Sequence, residues 1–139
     1  MVQRYYIDTA IWRDLHENRT DRFRPIGEWA FELIKKIIEK REEVLYSELI
    51  ITELSKDFTK EDIEEIFSSV SKEGIMKRVE TTESQIREAN ILRRKLKIPF
   101  GDIVHAIVTR DNNAVLVTRD HHFEALTDIA VIKKPEDLI

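Results

Sequence analysis

Four acidic residues stand in four separate apolar segments of this 139-residue chain, and they are Asp8, Glu53, Asp102 and Asp120. A carboxylate that is buried alone as a charge is costly, and four carboxylates in one place repel one another and resist ionisation. A bound divalent cation removes both costs, and an all-oxygen set of ligands suits Mg²⁺ or Mn²⁺. The pattern therefore predicts a carboxylate metal site, which is the kind of site that serves phosphodiester chemistry.

The segments that must position these acids alternate between strand patterns and helix patterns. Short apolar runs predict strands at 5–7, 44–46, 75–79, 114–117 and 129–132. Periodic apolar residues and capping signals predict helices at 26–39, 47–54, 59–73, 82–96 and 102–108, with a helical turn at 123–126. Residues 13–24 are expected to be irregular. Alternation of this kind predicts an α/β fold, a three-layer α/β/α sandwich around a parallel sheet of short strands.

In such folds ligands bind beyond the carboxyl ends of the parallel strands. Asp8 and Asp120 follow strand patterns directly, and Glu53 and Asp102 lie on helices that begin near the same edge. The topology thus predicts a common location for the four acids. Each acid also has a purely structural interpretation, because a helix cap, an exposed helix position and a turn all accept a carboxylate. The metal hypothesis rests on the four together.

Composition limits the class of protein. The length suits one domain over residues 1–139, and no segment is apolar for long enough to span a membrane. With no Cys there is neither a disulfide framework nor a thiolate zinc site, and the first residues do not read as a signal peptide, so a cytoplasmic protein is expected. The net charge of −4 argues against simple polycation binding to nucleic acid, although it leaves room for a local basic surface.

Several other polar residues could take part in chemistry. Arginines flank two aromatic residues between positions 12 and 24, a composition that suits single-stranded RNA but also suits a solvated loop. Arg119, between Thr118 and Asp120, is expected to contact a phosphate. His122 follows His121 in a loop pattern, where it either ligates a metal or is simply exposed. His105 is expected to be a polar position on a buried helix.

Four segments in this order resemble the motifs of the PIN domain nucleases. The motifs are an Asp closing the first strand, a Glu on an early helix, an Asp opening an apolar helix, and a Thr-x-Asp followed by an aromatic residue. In this chain they read Tyr6-Ile7-Asp8-Thr9, Ile51-Thr52-Glu53-Leu54, Gly101-Asp102-Ile103-Val104-His105-Ala106 and Val117-Thr118-Arg119-Asp120-His121-His122-Phe123. The resemblance covers nearly the whole chain, and the length fits a small, VapC-like member.

The resemblance implies a Mg²⁺- or Mn²⁺-dependent endoribonuclease that hydrolyses single-stranded or structured RNA and leaves a 5′-phosphate. It implies a site in which the metal ligands are Asp8, Glu53, Asp102 and Asp120, and in which Thr118 joins them as a catalytic residue. Thr9, Arg13, Arg119 and His122 are expected near the substrate. One departure concerns His122, because many members carry an acid at that position. The alternative is a non-catalytic PIN-fold module that binds RNA or protein.

Two cellular roles stay open at this point. The protein could be the toxin of a toxin–antitoxin pair, with an antitoxin protein as its partner, or a housekeeping RNA-processing enzyme. The helices at 29–38 and 63–70 carry apolar stripes that exceed what one small sheet needs for cover. A homodimer is therefore expected.

Overall fold

The structure is a computed structural model, and it describes residues 2–139. In that range it has five strands and six α-helices. The strands are β1 (Arg4–Ile7), β2 (Glu43–Tyr46), β3 (Met76–Arg78), β4 (Val115–Val117) and β5 (Val131–Lys133). The helices are α1 (Thr9–Glu17), α2 (Ile26–Glu39), α3 (Glu48–Leu54), α4 (Lys60–Ser71), α5 (Glu83–Leu96) and α6 (Phe100–Asp111). Two 3-10 helices cover His121–Leu126 and Pro135–Asp137.

The sheet has the order β3-β2-β1-β4-β5, and every neighbouring pair is parallel. β1 lies at the centre, where Tyr6 is in register with Leu45 on one side and with Leu116 on the other. The chain builds outward from β1 first in one direction and then in the other, so β1 and β4 form the switch point where parallel sheets bind ligands. The predicted three-layer α/β/α sandwich is confirmed.

The core explains why the strands read as continuous apolar runs. Tyr6, Ile7, Leu116 and Val117 are fully buried, because helices cover both faces of the sheet. α6 is buried along Ile103–Thr109, an apolar run that includes one histidine. A helix that is buried on nearly all sides holds its first turn in a fixed place, and Asp102 lies in that turn.

The expectation of an irregular stretch at 13–24 is wrong over its first part, because α1 continues to Glu17. Trp12 on α1 is fully buried, and its ring meets that of Phe67 edge-on with centroids 4.8 Å apart. Ile11, Trp12 and Leu15 form the apolar face of this helix at the i, i+1, i+4 spacing, but the pattern covers little more than one turn. α6 also begins at Phe100, so Asp102 lies in the first turn and does not cap the helix.

The apolar stripes of α2 and α4 are covered within the chain. Leu33 and Ile37 of α2 are almost completely buried, and so are Ile66 and Val70 of α4. Much of both stripes is therefore covered within the chain, although Phe31 of α2 is 55% exposed, and the homodimer stays a prediction. None of the helices in the described range is both long and apolar enough to cross a lipid bilayer.

Candidate metal centre

Asp8 sits at the centre of the sheet, directly after β1, where its backbone N–H continues the pairing by donating to Val117 O at 3.0 Å. Its side chain is buried and caps α1. Oδ1 accepts from the Thr9 N–H at 2.8 Å, and Oδ2 accepts from Thr118 Oγ1 at 2.8 Å. Burial raises the pKa of Asp8, and the opposing effects of His105 and the Thr118 hydrogen bond do not cancel this rise.

Thr118 follows β4 and connects Asp8 to Asp120. Its hydroxyl donates to Asp8 and accepts from the Asp120 N–H at 3.2 Å. Asp120 Oδ1 in turn accepts from the His122 N–H at 2.9 Å, which caps the 3-10 helix that begins at His121. The Thr-x-Asp segment thus holds two carboxylates side by side through one hydroxyl.

Asp102 approaches from the first turn of α6. His122 Nδ1 lies 3.4 Å from Asp102 Oδ2 and 3.3 Å from Asp120 Oδ1, so the imidazole stands between the two carboxylates. Burial, followed by the negative charges of Asp120 and Asp8, raises the pKa of Asp102 to about 6. A pKa this high indicates that Asp102 is surrounded by negative charge. A bound cation would reduce the repulsion among these carboxylates.

Glu53 enters from α3. Its Oε1 accepts from Thr9 Oγ1 at 2.6 Å and lies 2.9 Å from His105 Nε2. Burial acts to raise the pKa of Glu53, but the hydrogen bond and charge of His105 together with the Thr9 hydroxyl lower it overall. The pKa of this carboxylate is therefore lowered, whereas those of Asp8 and Asp102 are raised.

The structure brings together all four acids that the sequence indicated, with Thr9, Thr118 and His122 among them. Candidate ligand atoms of Asp8, Glu53 and His105 lie within 4.8 Å of one another, and a second such group comprises Asp120, His121 and His122. The groups that donate hydrogen bonds to Asp8, the Thr9 N–H and the Thr118 hydroxyl, are uncharged. An oxygen-rich donor set with excess negative charge fits a divalent cation such as Mg²⁺ or Mn²⁺.

Arg13 lies on α1, where it is engaged with groups outside the four acids. Its guanidinium forms an ion pair with Asp57 and lies over the Phe58 ring, 5.9 Å from the centroid. The pair is exposed, so it contributes little and can exchange for another anion.

Arg119 is less available. Nη1 donates to Glu136 Oε2 at 2.7 Å, the guanidinium lies 5.6 Å from the centroid of the Trp29 ring, and the side chain is only 14% exposed. Its Nε and Nη2 are buried and have no hydrogen-bond partner within the described residues. Arg119 therefore packs against Trp29 of α2 as part of an ion pair with Glu136. Its neighbours in the chain, Thr118 and Asp120, face the site instead.

Sequence reasoning missed the hydrogen-bonded group behind Glu53. Tyr6 OH lies 2.7 Å from His105 Nδ1 and 2.6 Å from Ser47 Oγ, and all three side chains are buried. The available signals were a tyrosine in a central strand and a histidine in an otherwise apolar helix run. Nothing in the sequence pairs residues that lie 99 positions apart.

Comparison with known proteins gives a consistent classification. A profile described as the PIN domain matches residues 5–129. A search of curated protein sequences gave no match. One chain of the VapBC2 structure from Rickettsia felis, bound to a promoter DNA fragment, is 16% identical with a TM-score of 0.69 and covers 95% of this chain and 98% of its own.

Two further structures agree. A chain of FitAcB from Neisseria gonorrhoeae is 14% identical with a TM-score of 0.65, covering 96% of this chain and 99% of its own. A chain of a toxin–antitoxin complex from Klebsiella pneumoniae is 15% identical with a TM-score of 0.60, covering 94% and 97%. At such identities the likeness concerns the fold. The profile match extends over most of the chain and includes all four acids, and the protein therefore belongs to the PIN domain family.

Proposed function

We propose that the protein is a divalent-metal-dependent endoribonuclease. The observation that carries this proposal is the convergence of four carboxylates at the centre of the sheet, where burial and mutual repulsion raise the pKa of Asp102 to about 6. Membership of the PIN domain family supports it, because members of that family are generally nucleases.

The residues that would hold Mg²⁺ or Mn²⁺ are Asp8, Glu53, Asp102 and Asp120. A bound cation would lower the pKa of an attacking water and neutralise charge on the scissile phosphate. The chain itself orients the ligands, because Thr118 and the Thr9 N–H hold Asp8 while the Thr9 hydroxyl holds Glu53. Water adds to phosphorus as the bond to the 3′-oxygen breaks, so the product would carry a 5′-phosphate.

A tight turn beside the site supports RNA as the substrate. Asp21 and Arg24 exchange two backbone hydrogen bonds of 2.9 and 2.8 Å, and the two residues between them have positive φ values, 49° at Arg22 and 70° at Phe23. The Phe23 side chain is fully exposed. An exposed ring beside arginines suits base stacking with single-stranded nucleic acid.

This turn adjoins Asp120 through a cleft of about 360 Å³. The charged side chains that line the cleft are Arg24, Arg119, Asp120, Glu124, Lys133, Lys134 and Asp137. A strand held at the acids would therefore pass basic side chains on its way to the Phe23 ring. The basic groups are local, which reconciles RNA binding with the net charge of −4.

The test is cleavage of a labelled single-stranded RNA in Mn²⁺ by the wild type and by Asp102→Asn prepared in the same way. Cleavage that the substitution abolishes, with the fold intact by circular dichroism, would support the proposal, and analysis of the product ends would check for the 5′-phosphate. A DNA strand of the same sequence serves as the matched substrate. Equal cleavage by both proteins would overturn the proposal.

A second candidate function is non-catalytic binding by the same fold. It would be favoured if Mn²⁺ raised the melting temperature of the protein while several single-stranded and structured RNAs remained uncleaved, because a ligand of the native state must stabilise it.

Within the nuclease proposal, the role of a toxin is favoured over housekeeping RNA processing, since the similar solved structures include a toxin–antitoxin complex. The partner would then be an antitoxin. A small gene beside this one, whose product inhibits RNA cleavage when co-expressed, would support that role. The homodimer remains a prediction, to be checked by light scattering at micromolar concentration.

A further inference from the structure

We propose that His105 is a positioning residue: its Nε2–H fixes Glu53 through Oε1 and leaves Oε2 for the cation. The metal part of this inference rests on the proposed function. The hydrogen-bond part does not, since it concerns only the protein's own side chains.

The hydrogen bonds form a continuous chain through four elements. Ser47 precedes α3, Tyr6 lies on β1, His105 on α6 and Glu53 on α3. The distances along it are 2.6 Å from Ser47 Oγ to Tyr6 OH, 2.7 Å from Tyr6 OH to His105 Nδ1, and 2.9 Å from His105 Nε2 to Glu53 Oε1. Tyr6 and His105 are completely buried and Ser47 is almost so, which excludes water as a competing partner.

The donor at the Glu53 end of this chain follows from the carboxylate. An ionised Glu53 can only accept, so His105 donates from Nε2. On the other side of the ring, Nδ1 meets the Tyr6 hydroxyl, which in turn meets Ser47 Oγ. The imidazole is therefore held from both sides, and its orientation towards Glu53 is fixed.

The consequence for Glu53 is an asymmetric carboxylate. Oε1 receives both the Thr9 hydroxyl and the His105 N–H, whereas no hydrogen bond among the described residues reaches Oε2. Gly101 lies beside this oxygen, since a Cβ at position 101 would be 3.4 Å from Oε2. Glu53 thus presents one oxygen in a fixed direction.

His105 also lies close enough to Asp8 and Glu53 to be mistaken for a metal ligand. The two ring nitrogens are already engaged with Tyr6 and Glu53, so neither has a lone pair directed at the site. Histidine acts here behind a ligand, where such groups orient the carboxylate that binds the metal.

The experiment compares three variants of buried residues on α6. His105→Gln keeps an N–H donor at a reach similar to that of Nε2, and His105→Leu removes it. Thr109→Val is the matched control, because the Thr109 hydroxyl is equally buried and donates only to the His105 backbone oxygen at 2.7 Å. Mn²⁺ affinity is measured by titration calorimetry, and folding is checked by circular dichroism and thermal melting.

His105→Leu should weaken Mn²⁺ affinity by about 10- to 100-fold. His105→Gln should recover most of that loss, and Thr109→Val should retain wild-type affinity even where its melting temperature falls. A His105→Leu protein that binds Mn²⁺ as tightly as the wild type would overturn the proposal. So would a His105→Gln protein that is folded but no better than His105→Leu.

An independent measurement needs no variant, metal or activity. Nitrogen-15 NMR of the metal-free wild type should show a hydrogen on Nε2 of the His105 ring, and a ring without that hydrogen would overturn the assignment. The proposed function can fail separately. Absence of RNA cleavage together with the expected Mn²⁺ affinities would leave the positioning role standing, whereas normal cleavage and metal binding by His105→Leu would refute only this inference.

Discussion

Thr118 donates its hydroxyl hydrogen to Asp8 Oδ2 over 2.8 Å, joining two residues that lie 110 positions apart in the chain. The same hydroxyl accepts the Asp120 N–H. The bond crosses from the end of β4 to the end of β1, so the position of one carboxylate depends on the strand that carries another.

Thr118→Val should therefore lower both stability and metal affinity. The substitution removes one donor from the buried Asp8 carboxylate and the acceptor of the Asp120 N–H. Leaving a buried polar group without its partner costs about 1–3 kcal/mol. Thr118→Ser is the control, because it keeps the hydroxyl and removes only a methyl group. Chemical denaturation and Mn²⁺ titration would check this, and equal behaviour of the valine and serine variants would contradict the role assigned to the hydroxyl.

The stability of the metal-free protein should fall as pH rises through about 6. The folded state holds a proton on Asp102 up to about pH 6, whereas the unfolded state releases it near the ordinary value for aspartate, so the folded state binds more protons in this window. The free energy of unfolding should decrease by about 1–3 kcal/mol between pH 4 and pH 7. Burial raises the pKa of Asp8 too, which acts in the same direction.

Asp102→Asn should remove most of this pH dependence and make the metal-free protein more stable at neutral pH. Saturating Mn²⁺ should do the same for the wild type, because the cation competes with the proton. Glu53 has a lowered pKa and so contributes stability that is lost only at more acidic pH. Thermal melts at several pH values would test this, and a wild-type curve that rises from pH 5 to pH 7 would contradict it.

His122 should influence which metal the site prefers. Its Nδ1 stands between Asp102 and Asp120, and an imidazole nitrogen suits Mn²⁺ and later transition metals better than Mg²⁺. His122→Asp should therefore raise the affinity for Mg²⁺ relative to Mn²⁺ by about tenfold or more. His16→Ala is the control, since His16 is exposed on α1 and belongs to neither candidate ligand group. An unchanged ratio of the two affinities would exclude His122 from the metal site.

Phe23 should show opposite effects on stability and activity. Its φ of 70° lies in the left-handed region that favours glycine, so Phe23→Gly should stabilise the protein by about 1 kcal/mol. The same change removes the exposed ring, which should weaken RNA binding by about 1–3 kcal/mol if a base stacks there. Phe31→Ala, which removes a half-exposed ring on α2, is the control. Unaltered RNA affinity in Phe23→Gly would place the substrate elsewhere.

The sequence predicted the sheet well because its strands are apolar runs that end at acids or turns. The prediction was less accurate at the edge of the sheet, where 129–132 was expected as a strand and β5 is Val131–Lys133. Ala130 is buried ahead of the strand, and an apolar residue in a loop looks the same as one in a strand. The four acids could be found because each stands out within apolar surroundings.

The environment of each acid could not be predicted in the same way. Whether Glu53 is ionised depends on His105, and the position of His105 depends on how α6 packs against β1. Arg119 illustrates the same limit, since its neighbours Thr118 and Asp120 face the acids while its own guanidinium packs on Trp29 and pairs with Glu136. Contacts of this kind depend on tertiary packing, which local patterns do not encode.

The strand order also bears on when the site can exist during synthesis. β1 and β2 leave the ribosome early and can pair, but β1 keeps one open edge until β4, residues Val115–Val117, has been made. Asp8 acquires its partner Thr118 only then, and Asp120 follows two residues later. All four acids can meet only after Asp120 has been made, which is late in the chain. At about 5–20 residues per second, the earlier residues take several seconds to synthesise. The four acids of a nascent chain thus cannot form one site until the chain has grown past Asp120.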